Sequence, residues 1–222
     1  HASGHAAYVN AKAMELAGIT AGIKSPAGGD ILKDKAGRPI GVLRETASDL
    51  AEDAMAAWFA KKTPEERAAD TRRQIELAVQ ASLAKGVTSF HDAGEPFTTV
   101  DVLKQAATDG ALGIRLWVMV RDSNDNLKAK LPAYKAVGLA NNHLTIAAIK
   151  KTIDGAIGSR GAWLLEPYSD SPGSSGLNTS PVPEVQELAT IAAANGVQLG
   201  VHAIGDRANR EALDIFEATF KA

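Results

Sequence analysis

The chain has 222 residues, of which 45% are hydrophobic and 23% are charged, and it contains no cysteine. This composition is typical of a folded domain with a sizeable core and argues against disorder. A formal net charge of -2 gives no broad attraction to nucleic acid or to an acidic membrane, and the lack of cysteine excludes disulfide scaffolds and thiol nucleophiles. No apolar run approaches the roughly 20 residues of a membrane helix. We predict no nucleic-acid or membrane partner, and a cytoplasmic location.

The first third of the chain predicts short helices and one hairpin. The predicted elements are a helix over 6–16 that ends before Gly18, a hairpin with strands at 30–33 and 39–43, and a helix over 48–61. Thr63-Pro64-Glu65-Glu66 has the pattern of a capping box, in which Thr63 caps the helix and Glu66 reaches back. This helix is predicted to extend to about Lys85, before Gly86.

The remainder alternates regularly between strands and helices. Strands are predicted at 87–91, 114–120, 144–150 and 197–202, and helices at 100–108, 126–135, 183–194 and 206–220. A long loop rich in Gly, Ser and Pro covers 155–180. This alternation indicates βαβ units and a parallel sheet. An eight-unit barrel needs about 250 residues, so these units form either a small open α/β sheet or part of a barrel.

Three of the predicted strands end in a residue that is capable of chemistry. These residues are His91, Lys150 and His202. Ligands of parallel α/β folds bind at the carboxyl ends of the strands. A single histidine there is more often structural, and a single lysine is usually solvated, so the inference depends on the repeated pattern. His143 precedes its strand and should lie on the opposite face.

Several longer motifs resemble a known family. They are Gly4–Asn10, Gly41–Glu45, Val87–Gly94, Ile149–Arg160, Leu165–Asp170 and Val201–Asn209. In this order they resemble the amidohydrolase superfamily, and within it the branch called amidohydrolase family 3, which includes N-substituted formamide deformylases. The likeness extends over nearly the whole chain.

The resemblance implies a metal-dependent hydrolase on a (β/α)8 TIM barrel. The chain would be a partial barrel of about strands 2–5 over residues 62–222, preceded by a small inserted α+β cap segment over 1–61. Lys150 would correspond to a metal-bridging lysine that is carboxylated on its amine, and His202 to a histidine ligand. The full-length enzyme would hold one or two divalent ions, with zinc as the expected metal. The metal would lower the pKa of bound water toward about 7.

The resemblance also implies a small-molecule amide-like substrate and a non-peptide carbon–nitrogen bond as the bond that is cleaved. Arg44 could face the substrate from the cap. The residues that we predict to bind the substrate or to support its pocket are His5, His91, Asp154, Arg160 and Arg207.

Parts of the family pattern have no counterpart in the sequence. The His-x-His pair after the first strand, the histidine after the sixth and the aspartate after the eighth are missing. We therefore expect a central fragment of a larger enzyme that has little hydrolase activity alone and binds metal weakly. The unpaired edges of an open barrel fragment favour association with another copy.

Two other interpretations remain open. The protein could be a catalytically inactive barrel with a regulatory or binding role, or a small open α/β binding module that is unrelated to hydrolases. If the protein is an inactive barrel, the sequence that flanks this chain should also lack the histidine and aspartate ligands named above. The second would form a closed, monomeric sheet with helices on both faces and no metal.

Overall fold

The computed structural model describes residues 3–221, so residues 1, 2 and 222 lie outside the described residues, including the first two of the predicted segment 1–61. The fold is mixed α/β. The strands are β1 (Ala6–Tyr8), β2 (Gly29–Lys33), β3 (Pro39–Glu45), β4 (Ser89–Glu95), β5 (Arg115–Val120), β6 (Ala136–Gly138), β7 (Leu144–Thr152) and β8 (Gln198–His202). The helices are α1 (Ala11–Leu16), α2 (Asp49–Phe59), α3 (Pro64–Leu83), α4 (Phe97–Thr108), α5 (Asn124–Tyr134), the single turn α6 (Leu139–Asn142), α7 (Val182–Asn195) and α8 (Asp206–Lys221).

These elements form two compact units. The first unit contains the chain up to Lys61, the segment Thr152–Val185 and the chain from Val201 onward. The second unit contains Lys62–Lys151 and Gln186–Gly200. The predicted division into 1–61 and 62–222 and the division into these units both have a boundary after Lys61. The assignment of 1–61 as a cap and of 62–222 as a partial barrel stays a prediction.

The first unit contains a three-stranded antiparallel sheet in the order β1-β3-β2. The predicted hairpin is present. The Asp34 side chain closes the turn between β2 and β3, since it accepts hydrogen bonds from the backbone N–H groups of Ala36 and Arg38. Ile31 and Leu43 from this sheet are buried in a small apolar core. The hairpin therefore anchors β3, which ends at Glu45, to this apolar core.

The helix predicted over 6–16 is wrong in its first part. Residues 6–8 form β1, in which Ala6 pairs with Arg44 and Tyr8 with Val42. The helix begins only at Ala11, where the Asn10 side chain accepts a hydrogen bond from the Ala13 N–H. Pairing with a distant strand outweighs the helical preference of the alanines.

The second unit contains a sheet with a parallel centre. Its order is β4-β5-β7-β6, with β8 also paired to β7, and the β4–β5 and β5–β7 pairs are parallel. The sheet side chains Val118, Val120, Ile146 and Ile149 are fully buried in the core of this unit. Within residues 3–221, β4 has no second partner strand, and association with another copy stays a prediction.

Most of the predicted strands and helices of this region are present, with shifted ends. The largest shift affects the strand predicted at 87–91, which is β4 at Ser89–Glu95, so the prediction that His91 ends its strand is wrong and His91 lies within β4. The short strand β6, which pairs antiparallel with β7 at Ala136 and Ile146, was not predicted. Among the helices of residues 3–221, none is both long enough and apolar enough to cross a lipid bilayer.

The capping box predicted at the start of α3 is present. The Thr63 hydroxyl accepts from the Glu66 N–H at 3.2 Å, and the Thr63 N–H donates to Glu66 Oε2 at 2.8 Å. We expect Thr63→Ala to lower the free energy of unfolding by about 1 kcal/mol, as measured by urea denaturation. Thr98→Ala, on an exposed turn of α4, is the matched control, and an equal loss in both variants would contradict the capping role.

Candidate functional site

A buried carboxylate connects two distant parts of the first unit. His5 Nδ1 lies 2.8 Å from Glu45 Oε2, and the Ser159 hydroxyl lies 3.0 Å from Glu45 Oε1. The neighbouring Arg44 donates to the Ser159 carbonyl at 2.9 Å and forms an ion pair with Asp30. Arg44 and Glu45, at the end of β3, thus both bind the loop that follows β7.

The surroundings of Glu45 are shaped to fit its side chain. A Cβ at position 155 or at position 161 would collide with the Glu45 carboxylate, so glycine at both positions leaves room for this side chain as it is placed. The backbone of Glu45 has φ 49° and ψ -129°. A non-glycine residue in such a conformation costs about 1–3 kcal/mol. The fold maintains this strain because the carboxylate is held on both of its oxygen atoms.

His202, the predicted metal ligand of β8, packs directly on this cluster. Its ring is stacked on the ring of His5, with centroids 4.6 Å apart and planes inclined by 29°. The His202 carbonyl accepts a hydrogen bond from the Ile153 N–H at 3.1 Å. The backbone of His202 is therefore fixed to the end of β7, and its ring is fixed against His5.

Asp154 holds the chain on both sides of the long loop. Its side chain accepts three backbone hydrogen bonds, from Trp163 at 2.8 Å, Ile204 at 2.9 Å and Gly205 at 2.7 Å, and the residue is completely buried. This carboxylate therefore positions the turn that follows His202. A role for Asp154 in substrate binding stays a prediction.

The two predicted arginines make contacts within the loop and α8. The guanidinium of Arg160 donates to both carboxylate oxygens of Asp170, at 3.2 and 2.6 Å. The guanidinium of Arg207 lies 4.7 Å from the centroid of the Trp163 ring and 3.8 Å from Glu211. Both arginines are partly exposed, and their roles toward a substrate stay predictions.

Lys150, the other predicted metal ligand, belongs to the second unit. It lies near the end of β7 and is half-buried, and its Nζ donates to the Lys151 carbonyl at 3.3 Å. Burial, and to a smaller degree the positive charge of Arg121, lower the pKa of the Lys150 amine below its ordinary value. The neutral form of this amine is therefore more populated at a given pH than the neutral form of a surface lysine.

His91 lies beside an open hollow of the second unit. The hollow has a volume of about 490 Å³ and is lined by His91, Trp117, Met119 and Gln198–Gly200. The His91 and Trp117 ring centroids are 5.0 Å apart. This arrangement gives His91 the space that a substrate contact needs, and the contact itself stays a prediction.

Two carboxyl groups follow His91 on β4 and were not predicted as site residues. Burial raises the pKa of Asp92, and burial together with the charge of Asp92 raises the pKa of Glu95. Shifts of this kind often mark functional sites, although structural networks produce them too. The available signal was the run of polar and small residues His91-Asp92-Ala93-Gly94-Glu95.

The described residues include side chains of the types that bind divalent metals. Imidazole nitrogen and a lysine carboxylated on its amine are suitable ligands for a divalent metal. Neutral amine is the form of Lys150 that can combine with CO2, and its lowered pKa fits that requirement. Within residues 3–221, no group of three or more His, Asp and Glu side chains gathers at ligand spacing. The residues present thus have suitable chemistry for a divalent metal, but they form only part of a full set of ligands.

The structure brings some of the predicted residues together. His5 and His202 are in ring contact in the first unit, whereas His91 and Lys150 belong to the second unit. The prediction that Lys150 and His202 bind one metal together stays a prediction. Sequence reasoning gave no role to Glu45 or Ser159, although both stand in the motifs that carried the resemblance.

Comparison with known proteins links the chain to hydrolases. The profile described as "Amidohydrolase family" matches residues 1–222. The chain is 29% identical to "Protein LONG AFTER FAR-RED 3" of Arabidopsis thaliana, over 99% of this chain and 38% of that protein. It is 27% identical to the "N-substituted formamide deformylase" of Arthrobacter pascens, over 98% of this chain and 40% of that protein.

A solved structure supports the same relationship. The chain is similar to an uncharacterized metal-dependent hydrolase from Pyrococcus horikoshii, with a TM-score of 0.67 and 29% identity, over 97% of this chain and 40% of that chain. The chain spans about two fifths of the length of the relatives that it matches.

The role of Asp154 can be tested by removing its charge while keeping its shape. Asp154→Asn offers one acceptor oxygen in place of two and turns an N–H₂ group toward backbone donors. Each buried N–H that loses its acceptor costs about 1–3 kcal/mol, so we expect a loss of this size in denaturant unfolding. Asp214→Asn, at an exposed position of α8, is the control. A loss no larger than that of the control would contradict the role.

The raised pKa of Glu95 predicts how stability depends on pH. The charged carboxylate is disfavoured in the folded state, so its cost is absent below the ordinary pKa of 4.5 and grows as the pH rises through the folded-state value. We expect Glu95→Gln to raise the melting temperature at pH 8, with the gain disappearing toward pH 4. Thermal unfolding beside Glu52→Gln measures this, and a gain that is independent of pH would disprove the burial effect.

Proposed function

Because the chain belongs to the amidohydrolase family, we propose that it forms part of a metal-dependent hydrolase that cleaves non-peptide carbon–nitrogen bonds with an activated water. The family match over residues 1–222 supports a hydrolase, and the relatedness to a protein named as a formamide deformylase favours formamide-like or amide-like small molecules as substrates. The observation that carries the proposal is the placement of His202 at the end of β8, in ring contact with His5.

We further propose that the elements are a section of a (β/α)8 barrel, about strands 2–5. The strands β4, β5, β7 and β8 would be these barrel strands, since the β4–β5 and β5–β7 pairs are parallel and a helix follows most of these strands in the chain. The segment 1–61 would be a cap inserted before them. The similarity to a larger metal-dependent hydrolase, of which the chain covers 40%, supports this assignment.

Lys150 and His202 are the residues that would hold the metal. The chemistry that a divalent metal supplies at such a site is activation of water and polarisation of a carbonyl. Zinc is the metal that we expect, as one or two ions, with Lys150 carboxylated on its amine. The desolvation that lowers the pKa of Lys150 favours that modification, since the reaction begins from the neutral amine.

The other residues of the chain would shape the site around these ligands. Glu45 and Ser159 hold His5 and the loop after β7 in place. Asp154 fixes the turn after His202 through the N–H groups of Ile204 and Gly205. His91 would contact the substrate from its hollow on β4, whose lining combines an aromatic ring with a thioether.

The proposal is tested by metal content and hydrolysis in the full-length protein. We expect Lys150→Ala to lose bound metal, measured by elemental analysis. Hydrolysis of formamides and simple amides should fall by at least about 100-fold, because losing a group that only supports a metal ligand already costs about 10- to 100-fold. Neighbouring residues of a strand point to opposite faces, so Lys151→Ala is the matched control.

Full metal content and full activity in Lys150→Ala would reject Lys150 as a ligand. A wild-type protein with neither metal nor hydrolysis would favour an inactive barrel with a binding role instead.

A further inference from the structure

A second open hollow of the second unit lies beside the amino ends of β5 and β7. It has a volume of about 770 Å³, and its lining comes from one stretch of the chain, from Lys104 to His143. Leu112 precedes β5 and His143 precedes β7, whereas Lys150 lies near the carboxyl end of β7. Sites for small molecules have volumes of about 300–1,000 Å³, so this hollow has the size of a ligand site that the proposed function does not use.

The ionisable side chains that line this hollow are all basic. They are Lys104, Lys135 and His143, and none of the Asp and Glu side chains of residues 3–221 belongs to the lining. Lys135 Nζ donates to the Asn195 carbonyl at 2.8 Å, which uses one of its three hydrogens. Lys104 Nζ lies 4.1 Å from the centroid of the Tyr134 ring, a contact that uses no oxygen acceptor. Both ammonium groups therefore keep donors for a ligand.

The negative groups near this hollow are engaged with other partners. Asp101 accepts from the Tyr134 hydroxyl at 2.9 Å, and Asp109 forms an ion pair with Arg72 at 3.0 Å. Carbonyl groups at a helix C-terminus would favour a cation, but those of the last turn of α4 accept from the backbone N–H groups of residues 109–111. The charge of the two lysines therefore remains available to attract an anion.

The walls between the basic groups are apolar. Leu112 is buried at the base of the hollow, and Ala133, Ala136 and Leu139 extend the lining toward solvent. Small-molecule sites combine an apolar lining with a few polar groups that fix the orientation of the ligand. This lining therefore fits a molecule that has both an apolar body and an anionic group.

A strained turn forms part of the rim. Ala140, Asn141 and Asn142 all have a positive φ, of 49°, 55° and 65°, and the first two belong to the lining. The turn is closed by the His143 N–H, which donates to the Leu139 carbonyl at 3.0 Å. Non-glycine residues in this region of φ and ψ are strained, and such strain is concentrated at ligand clamps and other functional sites.

We propose that this hollow binds a small organic anion. Its carboxylate or phosphate group would contact Lys104 and Lys135, and its apolar body would contact Leu112 and Leu139. Hydrogen bonds between an ammonium group and such an anion are charge-assisted and stronger than those between neutral groups. This binding site goes beyond the proposed function and does not require the hydrolysis to take place.

Three probes of one shape and different charge test the preference for an anion. Phenylbutyrate, phenylbutanol and phenylbutylamine are titrated into the full-length protein, and binding is measured by saturation-transfer NMR. We expect phenylbutyrate to bind about fivefold or more tightly than phenylbutanol, because it adds charge-assisted bonds at a partly exposed site. Phenylbutylamine should bind most weakly. Phenyl phosphate, titrated in the same way, shows whether the site favours a phosphate or a carboxylate.

Two pairs of variants locate the binding. Lys104→Gln should weaken phenylbutyrate about fivefold. Lys130→Gln should not, because Lys130 lies outside the lining, 5.5 Å from the centroid of the Phe97 ring. Ala133→Phe should obstruct the hollow and weaken all three probes, whereas Ala129→Phe, at an exposed position of α5 outside the lining, should leave them unchanged. If Lys104→Gln fails to fold, the second pair decides.

A crystal of the full-length protein with para-bromophenylbutyrate shows the position of the probe by anomalous scattering from bromine. We expect the peak between α4 and α5, beside Leu112. A peak at Lys150 or His202 alone, equal binding of phenylbutyrate and phenylbutylamine, or equal effects of the two substitutions in either pair would overturn the inference. Absence of binding of both acids at about 10 mM would overturn it too. These results leave the proposed function untouched, because that is decided by bound metal and hydrolysis.

Discussion

The carboxylate of Glu45 is the interaction on which the architecture of the first unit depends. It lies within hydrogen-bond distance of His5, directly before β1, and accepts from Ser159, in the loop after β7. Burying a carboxylate costs free energy unless its oxygens have partners. We therefore expect removal of either partner to destabilise the buried position of Glu45. Three features accommodate this one group: the glycines at 155 and 161, the positive φ of Glu45, and the contact between Arg44 and Ser159.

The two residues that we propose as metal ligands are constrained by different physical means. His202 is fixed sterically, through its stack on His5 and the hydrogen bond of its carbonyl. Lys150 is prepared electrostatically, because burial and the charge of Arg121 lower the pKa of its amine. Asp154 contributes to the first of these, since its three backbone contacts hold the turn after His202.

Features with a local signal could be predicted from the sequence. The capping box at Thr63 and the turn at Asp34 are each complete within a few residues, and both are present as expected. Residues 6–8 were assigned to a helix because their strand pairing depends on β3, far along the chain. Glu45 was missed as a site residue for the same reason, since its contact to Ser159 spans 114 positions. The sequence predicts Asp154 only as a residue of the substrate pocket, because backbone N–H partners up to 51 positions away cannot be identified from the sequence.

The most direct measurement of the central claim is anomalous diffraction at the zinc edge from crystals of the full-length protein. The account predicts a peak at a bonding distance of about 2.0–2.1 Å from a ring nitrogen of His202, with density for a carboxylated amine on Lys150 beside the same ion. A metal peak that is bound by other residues, with His202 and Lys150 both turned away from it, would contradict the account.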